Sequence, residues 1–337
     1  MSNATEFRPV EAPWVWSAGE LAARADWTVR LDAEARDDLA AALEGVRRRG
    51  LALAEIAAAD FPLPSLATAL ATARDLLGEG PGLCLIRGFP VEDHGRDDLA
   101  LMLWGLGAHL GTGVAQSYRG DLIGDVMDMS HTGDARRSYR SPRALDLHSD
   151  PVDVVGLLCL RRAKSGGTSL IASGLAVHNA ILAGRPDLLP TLYRGYRYRH
   201  SEADSMSGLP TTPHRIPVFG WCGERLICNF NASPIGRSLA NDDLETDAAA
   251  LEAFEVFRSV SARADLMGEM MLEPGDLQLL NNRVVLHGRT PFEDHQEITR
   301  KRFMLRLWLR IPDWPALPET MRLHRAGRVP KDAAVAG

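Results

Sequence analysis

The stretch Leu145-Asp146-Leu147-His148-Ser149-Asp150 reads as a β-strand, whose side chains alternate faces, so that His148 and Asp150 point to one side. An imidazole and a carboxylate aimed to one side are two candidate metal ligands. Two protein ligands do not hold a catalytic iron, and a third is offered by His287 in Pro274-Gly275-Asp276-Leu277-Gln278-Leu279-Leu280-Asn281-Asn282-Arg283-Val284-Val285-Leu286-His287-Gly288-Arg289. Two imidazoles and one carboxylate form the facial donor set that leaves three iron positions open. A His-x-Asp pair by itself also arises by chance at a protein surface, so its neighbours have to decide.

The segment Arg302-Phe303-Met304-Leu305-Arg306-Leu307-Trp308-Leu309-Arg310 carries polar or large residues at even positions and apolar ones at every odd position from Phe303 to Leu309. Such a strand either leaves its arginines in water or supports helices with its apolar face while the other face lines a cavity. Arg302 and Arg306 share a face and lie about 13 Å apart, at roughly 3.3 Å per residue. They suit two different anionic groups. Between the two halves of the chain, Ser165-Gly166-Gly167-Thr168-Ser169-Leu170 pairs a tight double-glycine turn with a strand able to aim a hydroxyl at a ligand.

Taken together, His148-Ser149-Asp150, Ser165 to Leu170, the Pro-Gly-Asp turn leading to His287-Gly288-Arg289, and Arg302 to Arg306 resemble the TauD/TfdA family of Fe(II)/2-oxoglutarate-dependent dioxygenases, the clavaminate synthase-like enzymes. The resemblance runs from residue 80 to 310. It implies a mainly β fold with α elements, a double-stranded β-helix (jelly roll) with helices packed outside and inserted between strands. It implies Fe(II) on His148, Asp150 and His287 as the catalytic metal site, with O2 and the co-substrate 2-oxoglutarate. Arg302 would clamp the distal carboxylate of 2-oxoglutarate. Family members place a hydroxyl two residues after the second glycine against that carboxylate; here this is Ser169, commonly Thr in relatives, and with Thr168 beside it the assignment stays open between the two. Arg306 stands where several relatives bind an acidic group of co-substrate or prime substrate.

The activity implied is decarboxylation of 2-oxoglutarate to succinate coupled to oxidation of an unactivated C-H in a small, anionic or amino-acid-like substrate. Hydroxylation is the default outcome; desaturation, ring closure and epimerisation use the same ligands. Related halogenases replace the carboxylate with a small residue to admit chloride, and Asp150 speaks against halogenation here. Relatives are commonly homo-oligomers.

Bulk properties agree with such a protein. The 337 residues are 45% hydrophobic and 24% charged, ample for a sizeable core. With 44 acidic against 38 basic residues the formal charge is -6, which recommends neither nucleic acid nor an anionic membrane as a partner. Cys84, Cys159, Cys222 and Cys228 lack Cys-x-x-Cys spacing, and no amino-terminal apolar h-region or membrane-length apolar run is present. Reduced thiols and a cytoplasmic location are expected.

Residues 1–80 are expected to form a mixed amino-terminal extension packed on the barrel, 81–325 the dioxygenase domain and 326–337 a tail. Trp14, Trp16 and Trp27 make the first stretch too aromatic for a disordered arm; it packs on the main body or a second subunit. Helices are expected at 33–49, 64–77, 97–110 and 174–182, and over 245–267. Gly113-Val114-Ala115-Gln116 begins a further strand, in which Gln116 faces either the cavity, where it would contact substrate, or solvent. Two polar stretches are candidate walls of the substrate entrance: 129–144, with Arg136, Arg137, Tyr139, Arg140 and Arg143, and 193–217, with His200 and Glu202. Cys222-Gly223-Glu224 marks one hairpin, and Glu273-Pro274-Gly275-Asp276 marks a second, joining 270–272 to 277–280.

Three other readings compete. A zinc hydrolase accepts two His and one Asp but gives no role to Arg302 or the glycine pair. A non-catalytic metal- or metabolite-binding barrel would be marked by loss of a ligand or of the clamp, and none is lost. A basic-loop interaction module built on 136–143 is opposed by the overall acidity where nucleic acid is concerned.

Overall fold

A computed structural model describes residues 7–116, 120–130, 140–199, 211–240 and 247–322. In chain order its strands are β1 (Thr28–Arg30), β2 (Leu83–Arg87), β3 (Thr112–Gly113), β4 (Ile123–Val126) and β5 (Leu145–His148). Next come β6 (Val154–Arg161), β7 (Ser165–Gly166), β8 (Ser169–Ser173), β9 (Phe219–Cys222) and β10 (Arg225–Cys228). The last are β11 (Met267–Met270), β12 (Leu277–Asn281), β13 (Val285–Arg289), β14 (Phe292–Glu293) and β15 (Phe303–Arg310).

The fold is mixed α/β and rests on two sheets. The larger runs β1-β2-β12-β6-β15-β3, with β4 also on β15; the smaller runs β11-β8-β13-β5. All pairings are antiparallel except β1 on β2. Helix is more abundant than a mainly β reading expects, because each sheet turns one apolar face outward and needs a helical cover.

The alternation of β15 has a direct structural meaning. Its odd residues Phe303, Leu305, Leu307 and Leu309 join a core with Leu39 and Leu43 of helix Ala33–Arg49, Leu70 and Leu77 of helix Ala67–Gly78, and Leu103 of helix Arg96–Ala108. Each fully buried leucine there contributes about 1.5–3 kcal/mol. Its even residues Met304, Arg306 and Trp308 face the other way, toward the small sheet, and are buried, as is Arg302 just ahead of the strand. Helices Gly174–Gly184 and Ala248–Ser261 cover the small sheet, where Leu175, Ile181, Phe254 and Phe257 pack with Ile171 and Leu286.

The amino-terminal stretch packs on the body. Trp14 and Trp16 are buried in the small-sheet core, the Trp16 indole donates to the Pro81 carbonyl at 2.8 Å, and β1 adds an edge strand beside β2.

Three local expectations need correction. The Glu273–Asp276 turn forms as its residues dictate, with Gly275 at φ 85° and the Asp276 amide donating to the Glu273 carbonyl at 2.9 Å. Yet β11 pairs with β8 and β12 with β2 and β6, so the turn carries the chain from one sheet to the other and closes no hairpin. The helix expected over 245–267 spans Ala248–Ser261, and Met267 already belongs to β11. Gln116 lies beyond β3, in a bend rather than a strand.

Of the two entrance candidates, Arg136, Arg137 and Tyr139 lie outside the described residues, as do His200 and Glu202. The flanks of the second approach each other through the bridges Tyr196–Ile216 and Arg199–Thr211. The expected tail at 326–337 also lies outside.

Candidate metal centre

Antiparallel pairing of β5 with β13 sets His148 directly opposite His287, and Asp150 follows two residues after the end of β5. The rings of His148 and His287 are 4.4 Å apart between centroids. Asp150 Oδ1 is 3.9 Å from His148 Nε2 and Oδ2 is 3.7 Å from His287 Nε2. One ligating atom from each of the three lies within 4.8 Å of the others, the one such group among the described residues. Nothing in the three side chains needs to move far to meet a single ion.

The surroundings hold the donors in place. His148 Nδ1 sits 2.8 Å from the Asp146 carbonyl, which leaves Nε2 to face the cluster. The Ser149 amide donates to the Phe230 carbonyl at 2.8 Å, the Phe230 amide donates back to Ser149 Oγ at 3.1 Å, and the Asp150 amide donates to Asn282 Oδ1 at 3.2 Å. Trp308 Nε1 donates to Asp150 Oδ2 at 3.1 Å, and Arg306 Nη1 lies 3.6 Å from the same oxygen. Burial alone would raise the Asp150 carboxyl; Arg306 and His287 outweigh it and hold the group well below the usual carboxylate range. Burial, followed by the neighbouring His287, pulls His148 down to about 4. A permanently ionised carboxylate beside a neutral imidazole is the protonation state a divalent cation requires.

Arg306 and Gln116 form a unit. Gln116 Oε1 accepts from Arg306 Nε at 2.7 Å, while the Gln116 amide donates to the carbonyls of Leu122 at 3.0 Å and Arg306 at 2.5 Å. Both Gln116 N–H groups are therefore spent on the backbone, and Gln116 reaches the site through the guanidinium it orients. Arg306 also lies over the Trp308 ring at 4.8 Å.

Arg302 lies further along the same face, 5% exposed, with Nη1 unpartnered and Nη2 against the Met304 thioether at 3.1 Å. Burial lowers its pKa from the ordinary arginine value. Gly167 lies against it: a Cβ there would stand 3.1 Å from Arg302 Nε, and φ is 76°. Ser169 is 8% exposed and donates to Gln278 Oε1 at 3.0 Å, across to the large sheet. Thr168 spends its backbone on Thr290, donating to Thr290 Oγ1 and accepting from the Thr290 amide, both at 3.0 Å.

Sequence reasoning passed over Asn282, Gln278 and the hydrogen-bonding role of Trp308. Gln278 had a signal, a lone amide in the apolar run Leu277-Gln278-Leu279-Leu280, 1% exposed in the structure. Asn282 had none, because its partner is 132 residues away in sequence.

A family model described as "Taurine catabolism dioxygenase TauD, TfdA family" matches residues 47–308. The chain belongs to the TauD/TfdA family. FR-33289 synthase of Streptomyces rubellomurinus (strain ATCC 31215) is 30% identical over 331 residues, 95% of this chain and 96% of that one. Taurine hydroxylase-like protein SAT17 of Stachybotrys chartarum (strain CBS 109288 / IBT 7711) is 27% identical over 313 residues, 87% and 77% of the two chains. Among solved structures, asparagine oxygenase with Fe(II), 2S,3S-3-hydroxyasparagine and succinate superposes with TM-score 0.66 at 18% identity, over 84% of this chain and 93% of that one. The non-heme iron oxygenase OrfP with Fe, succinate and (3S)-hydroxy-L-Arg gives TM-score 0.63 at 16% identity, over 84% and 94%. These two establish likeness of fold. As a TauD/TfdA protein the chain is an Fe(II)/2-oxoglutarate-dependent oxygenase, and the His-Asp-His cluster offers the donor chemistry that iron takes in this class. No helix among the described residues is long and apolar enough to cross a membrane.

Proposed function

We propose that this TauD/TfdA oxygenase hydroxylates an unactivated C-H of a small anionic or amino-acid-like substrate, with His148, Asp150 and His287 holding the iron. The observation that carries the substrate class is Arg306: a buried guanidinium 3.6 Å from a metal-site carboxylate oxygen, held in orientation by Gln116. A cation so placed beside the metal favours a substrate that brings a negative charge to it, a carboxylate, sulfonate or phosphonate. The solved relatives with hydroxyasparagine and hydroxyarginine bound support the amino-acid form of this reading.

Bound iron, with 2-oxoglutarate and O2, supplies the oxidation, in which the co-substrate loses carbon dioxide and becomes succinate. This chain's residues orient and shield. Arg302 is assigned the distal carboxylate of 2-oxoglutarate, since it is buried with Nη1 unpartnered. Ser169 is preferred to Thr168 as the hydroxyl partner, because its Oγ lies between the sheets against Gln278. Trp308 and Arg306 fix Asp150 from the large sheet, and Gln116 acts on the substrate through Arg306. The two sheets are taken as the halves of a double-stranded β-helix, with 81–325 as the catalytic domain and 1–80 as an extension to it.

The test is a panel of small amino acids and organic acids, supplied with Fe(II), 2-oxoglutarate and O2, read by succinate formed in step with hydroxylated product. Turnover confined to anionic or amino-acid substrates, and lost preferentially in Arg306→Ala, supports the reading. Turnover of neutral substrates that is indifferent to Arg306→Ala would refute the substrate class.

A further inference from the structure

Arg289 has no part in the site just described, yet it has the properties of a ligand-binding residue. It stands two residues after His287 on β13 and so shares that residue's face. It is 4% exposed. Its Nη2 donates to the carbonyls of Ser141 at 2.8 Å and Arg143 at 2.6 Å, while its Nε and Nη1 meet no acceptor among the described residues.

Arg302 is in the same condition a short distance away. The two guanidiniums lie over one ring, Phe292, at 4.6 Å and 5.3 Å from its centroid. Neither forms an ion pair with a carboxylate among the described residues, and both keep N–H groups without an acceptor. Two buried like charges with unspent N–H groups are unfavourable as they stand. An anion between them removes both penalties at once. The strand ladder adds a third donor, because Arg289 is the direct cross-strand partner of Ser169, which places the hydroxyl beside it on the same face.

We propose that Arg289 is the second arm of the 2-oxoglutarate clamp, sharing the distal carboxylate with Arg302 and Ser169. This rests on the assignment of Arg302 and Ser169 to the co-substrate given above. A carboxylate offers about four acceptor positions, enough for two guanidinium forks and a hydroxyl. The same Arg289 side chain holds the Ser141 and Arg143 carbonyls, just upstream of β5. One guanidinium thus ties the far end of the co-substrate to the segment that leads into the iron ligands.

The experiment compares binding of 2-oxoglutarate and of 2-oxopentanoate, which keeps the chelating 2-oxo acid but lacks the distal carboxylate, to protein loaded with redox-inactive Ni(II), by calorimetry. In Arg289→Met, 2-oxoglutarate affinity is expected to fall about 10- to 100-fold, the equivalent of one charge-assisted hydrogen-bonded contact, with Ni(II) and 2-oxopentanoate affinities unchanged. The ligand-free thermal midpoint should hold or rise, because a buried repulsion has been removed. A lowered midpoint with unchanged 2-oxoglutarate affinity, or equal loss for both acids, would make Arg289 a prop for Ser141 and Arg143 and overturn the proposal. Arg302→Met separates the layers: if it discriminates the two acids and Arg289→Met does not, only the second arm falls; if neither discriminates, the clamp assignment itself falls. Should Arg289→Met not fold, Arg289→Lys keeps the charge without the fork, and selective loss of 2-oxoglutarate over 2-oxopentanoate is again expected; equal affinities would overturn the proposal.

Discussion

Trp308 donates its indole N–H to the Asp150 carboxylate at 3.1 Å, from β15 of the large sheet to the residue two past the end of β5 of the small one. A metal-ligand carboxylate with one oxygen already engaged has fewer orientations to lose when the ion binds.

Trp308→Phe keeps an aromatic ring in the core and removes the donor. Affinity for Fe(II) or Mn(II), titrated anaerobically, should fall about 10- to 100-fold, the usual effect of losing a partner that orients a metal ligand. Unaltered affinity would show that Arg306 and the Asn282 contact suffice to hold Asp150.

Arg302, just ahead of β15, and Arg306, within it, should separate in steady-state kinetics. Arg302→Ala is expected to raise the 2-oxoglutarate requirement by about tenfold or more while iron binding stays near normal. Arg306→Ala is expected to weaken the prime substrate more than 2-oxoglutarate. The reverse order would mean the two roles are exchanged.

Gly167 is confined twice over, by its positive φ and by the nearness of Arg302. In Gly167→Ala the left-handed backbone costs about 1–2 kcal/mol, and the neighbour that has to yield is the Arg302 side chain. Measured KM for 2-oxoglutarate should rise while kcat at saturation stays within a few-fold. A variant that loses stability alone would show that Arg302 can shift without consequence.

Acid sensitivity has an identifiable contributor in Asp128, which is 7% exposed, accepts from Ser130 Oγ at 2.5 Å and from Lys301 Nζ at 3.3 Å. Burial opposes its ionisation, but the Ser130 hydroxyl and amide and then Lys301 outweigh burial and lower its pKa. A carboxyl depressed in the folded state stabilises the protein above the unfolded value, about 3.9, and that stability is lost as the pH falls through the lower folded value. Asp128→Asn should cost about 1–3 kcal/mol at neutral pH and flatten the dependence of the unfolding midpoint below pH 4. An undiminished acid slope would move the effect to other carboxyls.

What the sequence disclosed depended on how local each determinant was. The His148-x-Asp150 spacing and the alternation of β15 are short-range patterns, and the structure realises both. The turn at Glu273–Asp276 was legible as a turn but not as a crossing between sheets, since turn residues fix a local bend while the partners of β11 and β12 are set by distant strands. Gln278 and the orienting contact of Trp308 escaped for a related reason: a polar group in an apolar strand announces that it has a partner without saying which, while Asn282, past the end of β12, gave no signal. In sequence Gln116 stays open between cavity and solvent, and the occupation of its amide by two backbone carbonyls becomes visible only once Leu122 and Arg306 are brought to it.

β15, which carries Arg306 and follows directly on Arg302, is the last of the β elements, yet it lies between β6 on one side and β3 and β4 on the other. Synthesis therefore exposes His148, Asp150 and His287 before Arg302, Arg306 and Trp308, which follow His287 by 15 to 21 residues. Pairings of such long sequence separation form slowly. On the assignment proposed above, an emerging chain that captured iron before β15 pairs would hold it without the arginines assigned to co-substrate and substrate, so the oxidising centre would become competent only when the polypeptide has closed over it.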